Sequence, residues 1–306
     1  MQKISRQKTV EGTRVPGIIK NFQYFYINVD VYEDGMVNCW ELVDLDGLKE
    51  KLSINWLLPQ VPVGENISIH GLGCYKIKSA IWRYDSKSYY KYINNIIKKL
   101  NPKLTNIYRI SKEEKKLLEE RKIKYSPEAR EMYVNNNLFY KTIDGKGLTI
   151  FINHNGRNHL VNLVVYKDGK VSCYNSEFEI DYKLEDMKEL FNNGTFFTSF
   201  NNPTSIVLDS LGEVVLSEIL FSADINEKYK ELIDNYERLN GNETSLEKCR
   251  DAYHEYLEYP TEDGRARLRE LYELVPKHER MYLGDMDSRD TDYVRIIYRP
   301  NEKREV

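Results

Sequence analysis

Apolar and polar residues alternate in two stretches of the chain, and Asp-Gly interrupts each stretch. Residues 28–40 read NVDVYEDGMVNCW, and residues 162–174 read NLVVYKDGKVSCY. Alternation places every second side chain on one face of a strand, which is typical of a strand with one face against a core. Asp-Gly between two such runs favours a type I′ turn, because Gly adopts the required positive φ without a steric clash. Each stretch therefore predicts a β-hairpin.

The likeness between the two stretches continues downstream. Residues 45–50 (LDGLKE) are similar to residues 184–189 (LEDMKE), and residues 67–73 (ISIHGLG) are similar to residues 206–212 (IVLDSLG). The offset between matched positions rises from 134 (162 − 28) to 139 (184 − 45), so the second copy carries five additional residues after its hairpin. We expect a duplicated module that combines a mixed β-sheet with one short helix, which Asp46 would cap in the first copy.

Two helices are predicted between the copies. Apolar residues recur at helical spacing from 86 to 100, which predicts an amphipathic helix that ends before Pro102. The apolar stripe consists of Tyr89, Ile93, Ile96, Ile97 and Leu100. Ser111 and Glu114 form a capping box, because each side chain can bond the other residue's backbone N–H, and this predicts a charged helix that runs to Lys122.

The chain becomes helical again after Asp224. Helices are predicted over residues 224–239, 245–258 and 261–275, and Thr244 with Glu247 forms a second capping box. Residues 293–298 (YVRIIY) are rich in β-branched and aromatic residues and alternate in polarity, so they predict a final strand.

These elements together predict an α+β protein of tandem duplicated mixed β-sheet modules. At 306 residues the chain is longer than a single core usually supports. The predicted segments are a β-rich module A (1–83), a helical connector (84–137), a β-rich module B (138–223) and a helical C-terminal region with a final strand (224–306).

Composition narrows the class of protein. Hydrophobic residues make up 41% of the chain and charged residues 30%, and the longest apolar runs are far shorter than a membrane span. A formal net charge of −3 gives no general reason to expect a nucleic acid or a membrane as partner. The N-terminal residues are polar, so we expect a cytoplasmic protein. The 24 tyrosines, with abundant Asn, Ile and Lys, suggest a low-GC bacterium or its phages.

Catalytic and cofactor motifs are absent from the sequence. There is no P-loop, no Gly-x-Ser-x-Gly, no His-Glu-x-x-His and no Cys-x-x-Cys pair. We therefore assign no catalytic residue and expect no cofactor. Cys39 and Cys173 occupy matching positions of the repeat, which indicates buried, reduced thiols.

One acidic stretch is a candidate metal site. Asp285, Asp287, Asp290 and Asp292 offer oxygen ligands suited to Mg²⁺ or Ca²⁺, which would permit a metal-dependent enzyme acting on a phosphoester. An acidic turn that caps a helix explains the same residues. His154 and His159 are weaker candidates, because two loop histidines without a third ligand are usually surface residues.

Aromatic and basic residues are combined around the helix at 86–100. The candidates for contact with a partner are Trp82, Tyr84, Tyr89, Tyr90, Lys91 and Lys98. Lys side chains beside aromatic rings are typical of nucleic-acid surfaces, but a solvated helix face gives the same pattern. Large aromatic side chains also form the centre of protein interfaces.

The module resembles domains of uncharacterised proteins of bacteria and their mobile elements. The resemblance rests on the PGII start at residues 16–19, the hairpin at 28–40, the SI-x-x-LG strand at 68–73, and the tail residues 275–280 and 283–288. It implies the setting of immunity proteins and phage-encoded inhibitors of defence. We therefore expect a non-enzymatic protein that binds and blocks another protein or protein complex. Exposed edges of like sheets also favour a homo-oligomer.

Overall fold

The computed structural model of the protein describes residues 10–123, 144–284 and 289–302. The first copy of the repeat starts with two long strands and ends with a long helix. Its elements are β1 (Gly12–Asn21), β2 (Gln23–Tyr32), β3 (Val37–Asn38), β4 (Leu42–Val43), α1 (Leu45–Ser53), β5 (Leu57–Leu58), β6 (Asn66–Ile69), β7 (Gly73–Trp82) and α2 (Ser86–Leu100). Helix α3 (Lys112–Ile123) follows and begins with the predicted bonds between Ser111 and Glu114.

The second copy repeats the same order of elements. They are β8 (Gly145–His154), β9 (Arg157–Tyr166), β10 (Lys170–Tyr174), β11 (Glu179–Lys183), α4 (Leu184–Asn192), β12 (Phe196–Phe197), β13 (Thr204–Leu208), β14 (Gly212–Ser222) and α5 (Ile225–Leu239). The five additional residues of this copy lengthen one strand pair, because β10 and β11 pair over residues 170–174 where β3 and β4 pair only over 37–38. The α+β class is confirmed.

Parallel and antiparallel pairing are combined around one central strand in each copy. Strand β2 pairs with β1 along its whole length, and its other edge has β6 in parallel beside residues 24–26 and β3 antiparallel beside residues 30–31. Strand β9 has the same three kinds of neighbour, which are β8, β13 and β10. The sheets are therefore mixed, as predicted.

The Asp-Gly turns are not the type I′ turns that the sequence predicts. The Gly of each pair has positive φ (86° at Gly35 and 84° at Gly169), but the Asp before it does not. The N–H of Gly35 donates to the carbonyl oxygen of Tyr32 (3.0 Å), and the N–H of Met36 donates to Oδ1 of Asp34 (3.0 Å). Each loop is a type I turn that ends in a left-handed Gly, because the Asp side chain bonds the backbone two residues on.

Helix α1 is capped by Asp44, whereas the sequence predicted Asp46. Oδ1 of Asp44 accepts a hydrogen bond of 2.8 Å from the N–H of Gly47. Asp46 lies in the first turn, where its negative charge is favourable near the helix N-terminus. The matching helix α4 begins after Lys183, whose side chain makes no capping bond.

Helix α2 packs on strands β1 and β2 through its predicted apolar stripe. Tyr89, Ile93 and Ile97 are buried. The hydroxyl of Tyr89 donates to the carbonyl oxygen of Pro16 at 2.7 Å, and a β-carbon at Gly17 would lie only 3.0 Å from that hydroxyl. The absence of a side chain at Gly17 therefore makes room for the hydroxyl of Tyr89 and for the side chain of Val29, whose Cγ2 would lie 2.7 Å from that β-carbon.

The chain forms two compact units, and each contains residues of both copies. The described residues of the first unit are 10–70, 74–123 and 208–218, and those of the second are 71–73, 144–207, 219–284 and 289–302. Within the first unit, the start of β14 lies beside β7. Nζ of Lys76 is 3.1 Å from Oε1 of Glu218, and the N–H of Arg83 donates to the carbonyl oxygen of Leu211 at 2.8 Å.

Three helices follow in the second unit. They are α6 (Ser245–Glu258), α7 (Glu262–Leu274) and α8 (Thr291–Tyr298). The capping box of Thr244 and Glu247 is confirmed at the start of α6. In the part of the chain that the structure describes, every helix is too short or too polar to cross a membrane.

The prediction of a final strand over residues 293–298 is wrong, because these residues belong to α8. Tyr293, Ile296 and Ile297 are buried at the i, i+3, i+4 spacing of one helix face. They pack in one core cluster with Leu268 and Tyr272 of α7. Packing of this face outweighs the preference of β-branched residues for strands.

Candidate functional site

The predicted partner-binding residues lie at two levels around α2 in the first unit. Trp82 and Tyr84 are half-buried. The indole N–H of Trp82 donates to the carbonyl oxygen of Val61 at 3.2 Å. Tyr84 stacks on Tyr92, with ring centroids 4.9 Å apart. Tyr89 is buried beneath them. These three aromatic side chains have partners within the fold.

Both lysines of this set are exposed, and three of its four aromatic side chains are half-buried. Lys91 and Lys98 lie on α2 together with the exposed Lys87 and Lys99. The structure therefore brings an exposed basic helix face together with the half-buried rings of Trp82, Tyr84 and Tyr90.

The acidic stretch is described only in part. Asp285 and Asp287 lie outside the described residues. Asp290 precedes α8, and its Oδ2 accepts a bond of 2.7 Å from the hydroxyl of Tyr272. Burial and this bond raise the pKa of Tyr272 to about 12. Asp292 faces Arg295, with Oδ1 3.4 Å from a guanidinium nitrogen.

His154 at the end of β8 and His159 in β9 pack on one aromatic ring. The ring centroid of Phe178 is 4.5 Å from that of His154 and 5.1 Å from that of His159, and His159 is buried. Within residues 10–123, 144–284 and 289–302, no group of three or more His, Cys, Asp or Glu side chains is placed to hold a metal ion.

A further candidate site is an open cleft of about 1000 Å³ in the second unit. It is lined by the repeated Asp-Gly turn, by the end of β11 with the first turn of α4, and by α5. Helix α5 contributes Tyr229, Ile233 and Tyr236. The N–H of Leu184 donates to the carbonyl oxygen of Gly169 at 3.0 Å, which ties the turn to α4. We call this feature the second-copy cleft.

The second-copy cleft is acidic. Its lining carries four carboxylates, which are Asp168, Asp181, Glu185 and Asp186, and two ammonium groups, which are Lys170 and Lys183, so its formal charge is 2 − 4 = −2. Hydrogen bonds from Ser172 and Lys170 hold the pKa of Asp181 below its ordinary value. Among the described lining residues there is no His, Cys or Ser.

The same place in the first copy is filled by the chain itself. After α2, residues 104–110 pass over the Asp34-Gly35 turn, and a β-carbon at Gly35 would lie 3.2 Å from Cγ2 of Ile107. The N–H of Tyr108 donates to the carbonyl oxygen of Asp34 at 2.7 Å. The N–H of Ile110 donates to Oδ2 of Asp44 at 2.9 Å. We call residues 104–110 the internal segment.

The chain takes a different course after α5, which leaves the second-copy cleft open. In the first copy, the side chain of Asn101 holds the chain that follows α2 near the hairpin. Its Oδ1 accepts from the N–H of Thr105 (3.2 Å), and its Nδ2 donates to the carbonyl oxygen of Thr105 (2.7 Å). The matching residue Asn240 is followed by Gly241 with φ of 76°, and the chain proceeds to the cap of α6 at Thr244. In the described part of the chain after the second copy, α6 begins where a segment equivalent to residues 104–110 would lie.

Sequence reasoning missed this cleft, although the sequence contains its signal. Helices α2 and α5 have the same length and the same offset of 139 (225 − 86) as the downstream part of the repeat. Both begin after an Asp, at 85 and 224, and both end at an Asn, at 101 and 240. The repeat therefore extends one helix further than predicted, and the added helix supplies a wall of the cleft.

The fold and the cleft define an α+β protein of two hairpin-and-helix modules, in which one cleft is filled and its counterpart is open. The chain belongs to the family of the domain of unknown function DUF7638, which matches residues 1–104 and 132–243. Both matched segments end just after α2 or α5, so each covers one copy of the module. A second domain of unknown function, DUF7639, matches residues 244–305. Searches of curated proteins and of solved structures return no match.

Proposed function

We propose that this protein is a non-enzymatic protein-binding protein. In this proposal it acts as an inhibitor or immunity-type protein that sterically blocks a bacterial protein complex in conflict between bacteria or between bacteria and phages. The observation that carries the proposal is the second-copy cleft, because it is open where the first copy holds a polypeptide segment. The setting of conflict rests on the resemblance of the module described above.

The chemistry of the cleft supports binding better than catalysis. Its tyrosines, Tyr182, Tyr229 and Tyr236, supply large and stiff contact surfaces that are common in protein interfaces. Both of its lysines are paired with carboxylates: Nζ of Lys170 lies 2.9 Å from Oδ2 of Asp181, and Nζ of Lys183 lies 3.5 Å from Oε1 of Glu185. A charged rim around aromatic side chains gives orientation to a partner.

A nucleic-acid-binding function is a second candidate, favoured by the exposed face of α2. Lys87, Lys91, Lys98 and Lys99 are all exposed there. Lysines neutralise phosphates, so binding of this kind weakens steeply with salt and requires Lys91 and Lys98. The metal-dependent alternative, an enzyme acting on a phosphoester with the acidic stretch 285–292, predicts thermal stabilisation by Mg²⁺, Mn²⁺ or Ca²⁺.

Affinity capture with matched charge variants tests the proposed function. The tagged full-length protein is used as bait in lysates of a low-GC bacterium, with and without phage infection, beside Asp186→Lys and Asp263→Lys variants. Both residues are exposed acids in the first turn of a helix, but only Asp186 lines the cleft. We expect one stoichiometric protein with the wild type and with Asp263→Lys, and its loss with Asp186→Lys.

Two outcomes contradict the proposal. The first is that the bait retains no other protein from any lysate, and the second is that it retains only material that nuclease or high salt removes. The second outcome would favour the nucleic-acid candidate, and Lys91→Glu with Lys98→Glu would then abolish retention.

A further inference from the structure

We propose that the second-copy cleft binds a short segment of a partner protein that resembles the internal segment. The bound segment would place a branched aliphatic residue against Gly169, donate the backbone N–H of the next residue to the turn, and carry Lys or Arg on both sides. This inference rests on the proposed function and specifies the chemistry of its partner.

The first copy supplies the template for the bound segment. Ile107 is half-buried against Gly35, and the next residue, Tyr108, bonds the turn through its backbone N–H. A backbone bond to a turn carbonyl does not depend on the side chain, whereas the pocket over Gly selects one side chain. The turn therefore recognises one aliphatic residue and the peptide group that follows it.

The second copy retains both parts of this recognition. Gly169 has φ of 84°, close to the 86° of Gly35, and in both turns the N–H two residues after the Asp donates to its Oδ1, so the two turns are similar. Among the described residues no group donates to the carbonyl oxygen of Asp168, the counterpart of the Asp34 oxygen. A β-carbon at Gly169 would meet nothing nearer than Cε2 of Tyr236 at 4.0 Å, so the space that Ile107 fills in the first copy is open here.

Charge also favours a segment of this kind. Residues 102–112 contain Lys103, Arg109 and Lys112 and no Asp or Glu, which gives a formal charge of +3. The second-copy cleft has a formal charge of −2. Attraction between the two would raise the rate of association and would weaken with salt.

One contact of the first copy has no equivalent, and it limits the proposed motif. Asp44 accepts from the N–H of Ile110, but Lys183 stands at the matching position of the second copy. The motif therefore ends two residues after the aliphatic residue, and the second aliphatic residue of the internal segment is not part of it.

A synthetic peptide of residues 102–112 tests the inference. The peptide carries a fluorescent label, and its anisotropy is measured against the full-length protein. We expect saturable binding with one peptide per chain. Replacing Ile107 by Ala in the peptide should weaken binding about tenfold or more, because the residue loses most of the apolar area that it buries.

Glycine variants of the protein locate the peptide. In Gly169→Ala, a methyl group enters the space of the aliphatic residue, so we expect binding to weaken about tenfold or more. Gly194→Ala is the matched control, because Gly194 has φ of 82° and a β-carbon there would meet nothing within 4 Å. It carries the same backbone strain at a site that does not line the cleft, and it should bind like the wild type.

Charge variants give a second readout that does not depend on backbone strain. Asp186→Lys should weaken binding several-fold and reduce its salt dependence, whereas Asp263→Lys should change neither. Equal binding to Gly169→Ala and wild type would overturn the inference, as would equal binding of the Ile107 and Ala peptides. A dimer of the free protein that Gly169→Ala dissolves would also overturn it, because a second copy would then be the occupant.

The two proposals fail in distinguishable ways. If a captured protein depends on Asp186 but the peptide does not bind, the motif is wrong and the proposed function stands. If the peptide binds at Gly169 but no lysate yields a partner protein, the motif stands and the proposed function loses its support.

Discussion

The side-chain amide of Asn101 donates a hydrogen bond of 3.0 Å to the carbonyl oxygen of Glu33, and the repeat reproduces this relationship. In the second copy, the amide of Asn240 donates to the carbonyl oxygen of Lys167 at 3.4 Å. Each Asn ends the long helix of its copy, and each carbonyl precedes the Asp-Gly turn. The bond ties the end of the helix to the tip of the hairpin, so hairpin and helix form one structural module.

The first prediction follows from the number of bonds that Asn101 makes. Asn101→Ala removes bonds to Glu33 and to both backbone groups of Thr105, so we expect a loss of about 2–3 kcal/mol in the free energy of unfolding. Asn240→Ala removes a longer bond to Lys167 and one to Tyr236, and should cost about 1 kcal/mol. Urea denaturation followed by circular dichroism measures both.

Asn94→Ala is the control for this pair. Asn94 bonds only the carbonyl oxygen of Tyr90 on its own helix, and Ala has the higher helix propensity, so the change should be nearly neutral. Equal costs at Asn94 and Asn101 would show that the bond to the hairpin contributes nothing.

The second prediction concerns the close approach of two strands in the first unit. Gly212 has φ of 152°, and a β-carbon there would lie 2.3 Å from the carbonyl oxygen of Ile81. Gly212→Ala must displace backbone, so we expect a loss of about 3 kcal/mol or more. Gly156→Ala has positive φ but open space and should cost about 1 kcal/mol. Thermal denaturation compares them, and similar melting temperatures would contradict the account.

The third prediction is a pH dependence at the start of α6. Bonds from the backbone and side chain of Thr244 lower the pKa of Glu247 below its ordinary 4.5. A lowered pKa in the folded state stabilises the protein above pH 4.5, and this contribution is lost as the pH falls through the lowered pKa. Glu247→Gln should therefore be less stable than the wild type at pH 7, and the two should converge in acid.

The exposed neighbour Glu243 provides the control, because it makes no capping bond. The stability difference between Glu243→Gln and wild type should not follow the same pH profile. A constant difference for Glu247→Gln from pH 7 to pH 3 would mean that its charge does not contribute to the cap.

The fourth prediction concerns thiol reactivity. Burial raises the pKa of Cys39 to about 11 and the pKa values of Cys173 and Cys249 to about 12. Burial also raises the pKa of Cys74, and all four thiols are free. Because the thiolate is the reactive form, a disulfide reagent at pH 8 should modify none of them in the folded protein within minutes. Four equivalents should react at once in denaturant, and rapid native labelling would contradict the burial.

Local sequence signals predicted the elements that neighbouring residues specify. The apolar stripe and its breaker give α2 the bounds 86–100 that the structure has, and both capping boxes occur where predicted. The same kind of reasoning was wrong for residues 293–298, because β-branched residues are compatible with a strand or a helix. There the core formed with Leu268 and Tyr272 selects the helix.

The sequence by itself determined the duplicated α+β fold, because turn residues, apolar periodicity and helix caps act over a few positions and recur at a fixed offset. Only the tertiary structure decided which surfaces of the two copies are open. After Asn101 the chain covers the first Asp-Gly turn, whereas after Asn240 it leaves the second Asp-Gly turn uncovered. That difference arises from contacts between residues far apart in sequence, such as Ile107 with Gly35, and no local pattern encodes them.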